Sequence, residues 1–191
     1  MEMKRLYHGT YGCIKKPDLQ HSRLNIDFGP GFYLTEDEKM AAKWACNKKR
    51  SFVNYYDVDM SDLKVCDLGL TKEWLHFIIE CRGDYEVQLD YKSYDVIKGP
   101  VADDKMFRTI SDYEDGYITA QEAIQLLNAG GFSTQYCFRT DKAINKLKFC
   151  KVREIKEQEK QRTLEETKQD RQKMEALVKK FKEDRKPKFR R

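Results

Sequence analysis

Hydrophobic and polar positions alternate at the start of the chain, where Arg5-Leu6-Tyr7-His8-Gly9-Thr10 predicts a strand ending in a histidine and a glycine. A polar connection from Tyr11 to Asn25 follows, with a turn at Lys16-Pro17; it carries Arg23 and His21, the histidine expected on an exposed loop. The pattern then changes abruptly to the uncharged run Phe28-Gly29-Pro30-Gly31-Phe32-Tyr33-Leu34-Thr35. Gly29-Pro30-Gly31 predicts a tight turn, because proline pre-sets φ and glycine accepts the positive φ other residues resist. Phe32-Tyr33-Leu34 predicts a short buried strand, and Thr35 with Glu38 three residues later predicts a capping box and a helix over 36–49. Met40, Ala41, Trp44 and Ala45 fall on one face of that helix, so Trp44 is expected in the core.

Phe52 to Asp59 is rich in aromatic and β-branched residues and predicts a strand; Cys66-Asp67-Leu68 predicts a further short one. Thr71 to Cys81 predicts a helix with Trp74, Phe77 and Ile78 inward, and His76 off that stripe and solvated. Residues 83–94 are irregular, Asp95 to Lys98 predicts a strand, and residues 107–116 match no template. Thr119 and Glu122 make a second capping box, opening a helix that runs to Leu127 and stops at Gly130-Gly131. A strand over Gln135–Phe138, a short helix over Asp141–Lys146 and a closing strand over Leu147–Val152 complete the order. Strands and helices mix without a βαβ repeat, so the fold class is α+β.

From Lys151 the texture changes. No glycine or proline occurs until Pro187, and Glu, Lys, Gln and Arg dominate, which predicts a long charged C-terminal helix. Its apolar residues Met174, Leu177, Val178 and Phe181 share one face near the far end, and the rest is polar all round, as a solvated helix is. The division is therefore a globular part over 1–150 and a helical tail over 151–191 that adds little to the core. The tail also holds the charge. Of 37 Lys and Arg and 32 Asp and Glu, residues 151–191 hold 16 and 9, which leaves the globular part slightly acidic. A basic tail suits a nucleic acid, a protein partner or the protein's own domain.

No run approaches the roughly 20 apolar residues of a membrane span. The first residues lack the apolar segment of a signal peptide. None of the six cysteines forms a Cys-x-x-Cys pair or stands at zinc-finger spacing from a histidine, so no metal is expected. Their even number permits a disulfide framework, but with no secretion signal the expectation is a cytoplasmic protein with reduced, mostly buried thiols. Gly29 and Gly31 lack the third glycine of a Rossmann fingerprint, and no Walker sequence occurs.

Four segments carry a resemblance: Tyr7-His8-Gly9-Thr10, Asp27 to Thr35, Lys98-Gly99-Pro100-Val101-Ala102-Asp103-Asp104, and Thr134-Gln135-Tyr136. In this order they resemble the ADP-ribosyltransferase superfamily, whose signature runs His, Tyr and an acidic residue. They are most similar to a bacterial branch long catalogued as a domain of unknown function. The resemblance implies a split-sheet core and mono-ADP-ribosyl transfer from NAD to a protein or nucleic-acid acceptor, with release of nicotinamide. It also implies a toxin or phage-defence setting and an antitoxin as one kind of partner.

Such a reaction passes through an oxocarbenium-like state at the nicotinamide ribose, so the site must clamp the dinucleotide and stabilise positive charge. The resemblance gives His8 a ribose hydroxyl, Gly9 the carboxamide and Tyr33 the nicotinamide ring, with Thr10, Gly31 and Phe32 alongside. His8, Tyr33 and Gln135 are then the catalytic set. Gln135 stands where many members carry Glu; an amide binds a hydroxyl but does not offset positive charge. Asp103 and Asp104 are candidate auxiliary acids, with Asp27 a third that also suits capping the turn. The competing reading is a catalytically silent NAD- or nucleotide-binding module whose basic tail does the work.

Overall fold

A computed structural model describes residues 3–46, 49–83, 85–102, 107–128 and 133–184, with backbone alone at 107, 108, 128, 174, 177, 178, 181, 182 and 184. The elements are strands β1 (Lys4–Thr10), β2 (Phe32–Thr35), β3 (Phe52–Val58), β4 (Val65–Asp67), β5 (Val96–Pro100), β6 (Thr134–Phe138) and β7 (Lys148–Glu154). The helices are α1 (Glu38–Ala45), α2 (Lys72–Gly83), α3 (Phe107–Glu114), α4 (Ala120–Asn128), α5 (Asp141–Ile144) and α6 (Glu157–Asp184). The fold is α+β, as the mixed pattern implies, and α3 fills the stretch that matched no template.

All seven strands form one mixed sheet in the order β4-β5-β6-β2-β1-β3-β7, antiparallel except for β4 and β5. Long ladders hold each half: β1 pairs with β3 over seven registered positions and β5 with β6 over five. At the centre β1 and β2 share a single registered pair, Tyr7 with Thr35. The sheet therefore opens between its two halves at the strands that carry His8 and Tyr33.

Alternation sorts the side chains onto two faces. Phe28, Trp74, Ile97 and Cys137 pack with α2, α3 and α4 on one face, where Ala41, Ala45, Val53, Tyr55 and Ile155 also pack beneath α1. Leu6, Phe32, Leu34, Tyr56, Tyr136 and Phe138 occupy the other face with Ala143 and Ile144 of α5.

The two capping signals have different outcomes. At α4 the capping box forms: the Thr119 hydroxyl accepts from the Glu122 N–H at 3.3 Å and the Glu122 carboxylate from the Thr119 N–H at 2.7 Å. At α1 it does not. Thr35 belongs to β2, where its hydroxyl donates to the Thr134 carbonyl at 2.7 Å, and Asp37 caps the helix instead by accepting from the Lys39 N–H at 2.8 Å. The helix ends at Ala45, and its buried residues are Ala41, Ala42 and Ala45, with Trp44 only half-buried. Close approach to β1 explains this, because only small side chains fit between the two backbones. His76 is also held rather than solvated: its Nε2 lies 2.7 Å from the Tyr113 hydroxyl.

The six thiols are free, but only Cys46 and Cys137 are buried, while Cys13 and Cys150 are exposed. β7 carries the sheet past Cys150 to Glu154, Ile155 is 6 % exposed, and Thr163 of α6 is 8 % exposed. Lys43 of α1 pairs with Asp170 of α6 at 3.1 Å, so the first half of α6 lies on the domain rather than standing free. The Met174–Phe181 face lies outside the described side chains. Among the described residues, no helix is long and apolar enough to cross a membrane.

Candidate functional site

The His, Tyr and Gln positions lie on three neighbouring strands, β1, β2 and β6, at the centre of the sheet. Thr35 pairs with Gln135 and Tyr33 with Cys137, so β2 lies between the other two.

His8 spans the opening. Its Nδ1 lies 2.7 Å from the Tyr33 carbonyl oxygen, and a carbonyl only accepts, so Nδ1 carries the proton. The ring stacks on Phe32 with centroids 4.4 Å apart. Burial pushes the imidazole pKa down to about 4, against the pull of the Tyr33 carbonyl and with the help of the Arg23 charge. At neutral pH the ring is uncharged and Nε2 is an acceptor. The Tyr11–Asn25 connection folds over this face, pinned by buried Asn54, which donates to the Gly12 carbonyl at 2.9 Å and accepts from the Ile14 N–H at 2.8 Å.

Tyr33 points to the opposite face. Its hydroxyl donates to the Gly29 carbonyl at 2.6 Å and accepts from the Phe28 N–H at 2.9 Å, which ties the ring to the turn that precedes it. Burial, aided by the neighbouring Cys137 and Asp27, holds its pKa well above the usual phenol range. Gly29 sits at φ +68°, so the turn requires glycine there. His8 thus meets Tyr33 through the backbone, and the two rings do not converge as the resemblance implies.

The two glycines expected to admit a ligand have close neighbours of their own. A Cβ on Gly9 would lie 1.6 Å from the Ala41 carbonyl oxygen, and one on Gly31 would lie 2.3 Å from Cys137 Sγ. Helix-on-strand and strand-on-strand packing account for both. Thr10 ends β1 opposite Phe52 and is partly exposed.

Gln135 is 2 % exposed, and its amide nitrogen donates to Asp27 Oδ2 at 2.6 Å and to the Pro100 carbonyl at 3.2 Å. Asp27 is the hub of a buried network rather than a turn cap. Its Oδ1 accepts from Arg82 Nε at 2.9 Å and Nη2 at 2.5 Å, and its Oδ2 also accepts from the Ala102 N–H at 2.9 Å. Arg82 Nη2 reaches the Ala102 carbonyl at 2.7 Å as well. The sequence pattern alone did not single out Arg82. Its signal was its place four and eight residues after Ile78 and Trp74, on the buried stripe of α2, where a cation needs a buried partner. Asp103 and Asp104 lie outside the described residues.

A family model described as "Protein of unknown function (DUF3990)" matches residues 4–149. No curated protein matches the chain, and no solved structure does.

Proposed function

The chain belongs to the DUF3990 family of proteins of unknown function, and from that premise and its site we propose that it is an NAD-dependent mono-ADP-ribosyltransferase. The observation that carries the reading is the adjacency of the His, Tyr and Gln positions on β1, β2 and β6, with the His8–Tyr33 hydrogen bond across the opening between the first two. In the reaction the bond from C1′ of the ribose to nicotinamide breaks and nicotinamide leaves with the electron pair. A nucleophile on the acceptor then bonds to C1′ and gives up its proton. His8 would accept a hydrogen bond from a ribose hydroxyl at Nε2, because the Nδ1 proton is spent on the Tyr33 carbonyl. The toxin or phage-defence role, with a protein or nucleic-acid acceptor and an antitoxin partner, goes with this reading through the resemblance alone.

A second reading is favoured by Gln135. It is neutral, enclosed and committed inward on both amide hydrogens, which suits a module that binds NAD or a nucleotide without turning it over. α6 carries eight acidic and eight basic residues, so the basic surplus lies outside it, in residues 151–156 and 185–191. There it would grip nucleic acid or a protein partner.

Incubation with labelled NAD and whole-cell lysate separates the two. Transferase activity gives released nicotinamide and a labelled fraction sensitive to protease or to nuclease. Binding of ADP-ribose with neither product supports the silent module.

A further inference from the structure

We infer that the buried Asp27–Arg82 pair is the positioning unit of the site, fixing Tyr33 and Gln135 together through the 27–29 turn; this rests on the reading of the site as NAD-binding. One stretch of backbone serves both side chains. Gln135 grips the turn through the Asp27 carboxylate at 2.6 Å, and Tyr33 grips it through the Phe28 N–H and the Gly29 carbonyl at 2.9 and 2.6 Å. Arg82, from α2, holds the other carboxylate oxygen with two N–H donors, so the turn has an anchor outside the sheet. The anchor is internal: the Arg82 and Asp27 side chains are 9 % and 10 % exposed.

The pair also sets the orientation of the Gln135 amide. Its two close neighbours, a carboxylate oxygen and the Pro100 carbonyl, only accept, so the NH₂ end must face them. Oε1 is then the polar atom of Gln135 left for a ligand, and toward a ribose hydroxyl the amide acts as an acceptor, as a carboxylate would. A hydrogen bond to the charged Asp27 polarises the amide and adds negative character at Oε1. The signature's missing charge is thus present one contact away, balanced by Arg82.

The test compares Arg82→Lys, which keeps the charge but loses the fork that reaches both Asp27 and Ala102, with Tyr33→Phe, which keeps the ring but releases the turn. ADP-ribose affinity is measured by calorimetry beside thermal melts. Each variant is expected to stay folded and to bind about ten- to a hundred-fold more weakly, as a misplaced contact does. The double variant is expected to bind no more weakly than the worse single one, because both act through one turn. The Gln135 side-chain NH₂ resonances should be protected from exchange in the wild type and lose protection in Arg82→Lys. Multiplying losses of affinity, wild-type affinity in folded Arg82→Lys, or unprotected Gln135 protons in the wild type would each overturn the inference while NAD binding stands. No binding of ADP-ribose by the wild type would overturn the NAD reading and this inference with it.

Discussion

His8 Nδ1 and the carbonyl oxygen of Tyr33 lie 2.7 Å apart across the one place where the sheet has almost no ladder. A side chain here does what a backbone pair does elsewhere, and that gives the histidine a measurable role in stability whatever the ligand. Burial holds the ring neutral down to about pH 4, whereas an unfolded histidine titrates near 6.5. Between those values the unfolded chain binds more protons, so stability is fully present above pH 6.5 and falls as pH drops toward 4. The loss is expected to reach about 2–3 kcal/mol. His8→Asn, which keeps a donor for the carbonyl, should flatten that part of the profile in urea denaturation at pH 7, 6 and 5.

Gly9 is expected to tolerate no side chain. A Cβ 1.6 Å from the Ala41 carbonyl meets backbone, which cannot swing aside, so α1 as a whole must lift from β1. Gly9→Ala should cost about 3 kcal/mol or more, at or above the usual range for overpacking. Chemical denaturation checks this. Loss of NAD binding at unchanged stability would instead assign the glycine to the ligand.

What could be read in advance was local. β1 follows from short-range alternation, β2 and β3 from short runs of aromatic and β-branched residues, and α4 from the reciprocal cap of Thr119 and Glu122. The errors arose where a partner distant in the chain decides. Thr35 looks like a cap until β6 engages its hydroxyl from 99 residues away, and Trp44 looks like core until Gly9 draws the alanine face of α1 inward. Of the candidate site, the three signature positions were legible as a motif. Their side-chain directions were not, because those depend on which faces of β1 and β2 are buried. The Asp27–Arg82 pair joins residues 55 apart and left only one trace, a charge on an apolar stripe.

Truncation should distinguish the two halves of α6. A chain ending at Val152 loses Arg153, whose Nε donates to Glu38 at 3.0 Å, and Ile155, whose burial alone contributes about 1.5–3 kcal/mol. Its melting temperature should fall by about 6 °C or more. A chain ending at Gln172 keeps Thr163 and the Lys43–Asp170 pair and should melt within about 2 °C of the full chain, surface helix being worth little. Equal melting of all three would mean that α6 is independent of the domain.

Restoring the signature acid by Gln135→Glu is expected to harm the protein, and in a pH-dependent way. The new carboxylate would meet Asp27 Oδ2 and the Pro100 carbonyl where the amide now donates at 2.6 and 3.2 Å. Two carboxylates at that separation do not both ionise, so the pair keeps a shared proton in the folded state that the unfolded chain releases near pH 4. The folded protein then binds more protons, and stability falls as pH rises above about 4. A loss of about 3–5 kcal/mol is expected at pH 8, the range for a disrupted buried pair, with part of it regained at pH 5. For the same reason the variant should hydrolyse NAD no faster than the wild type, since its acid is protonated and turned toward Asp27. Denaturation at pH 5 and 8, with nicotinamide release measured at each, checks both halves of the argument. Equal stability at the two pH values, or faster hydrolysis at pH 8, would mean that the introduced carboxylate ionises in an open site and that the inward network is not what holds position 135.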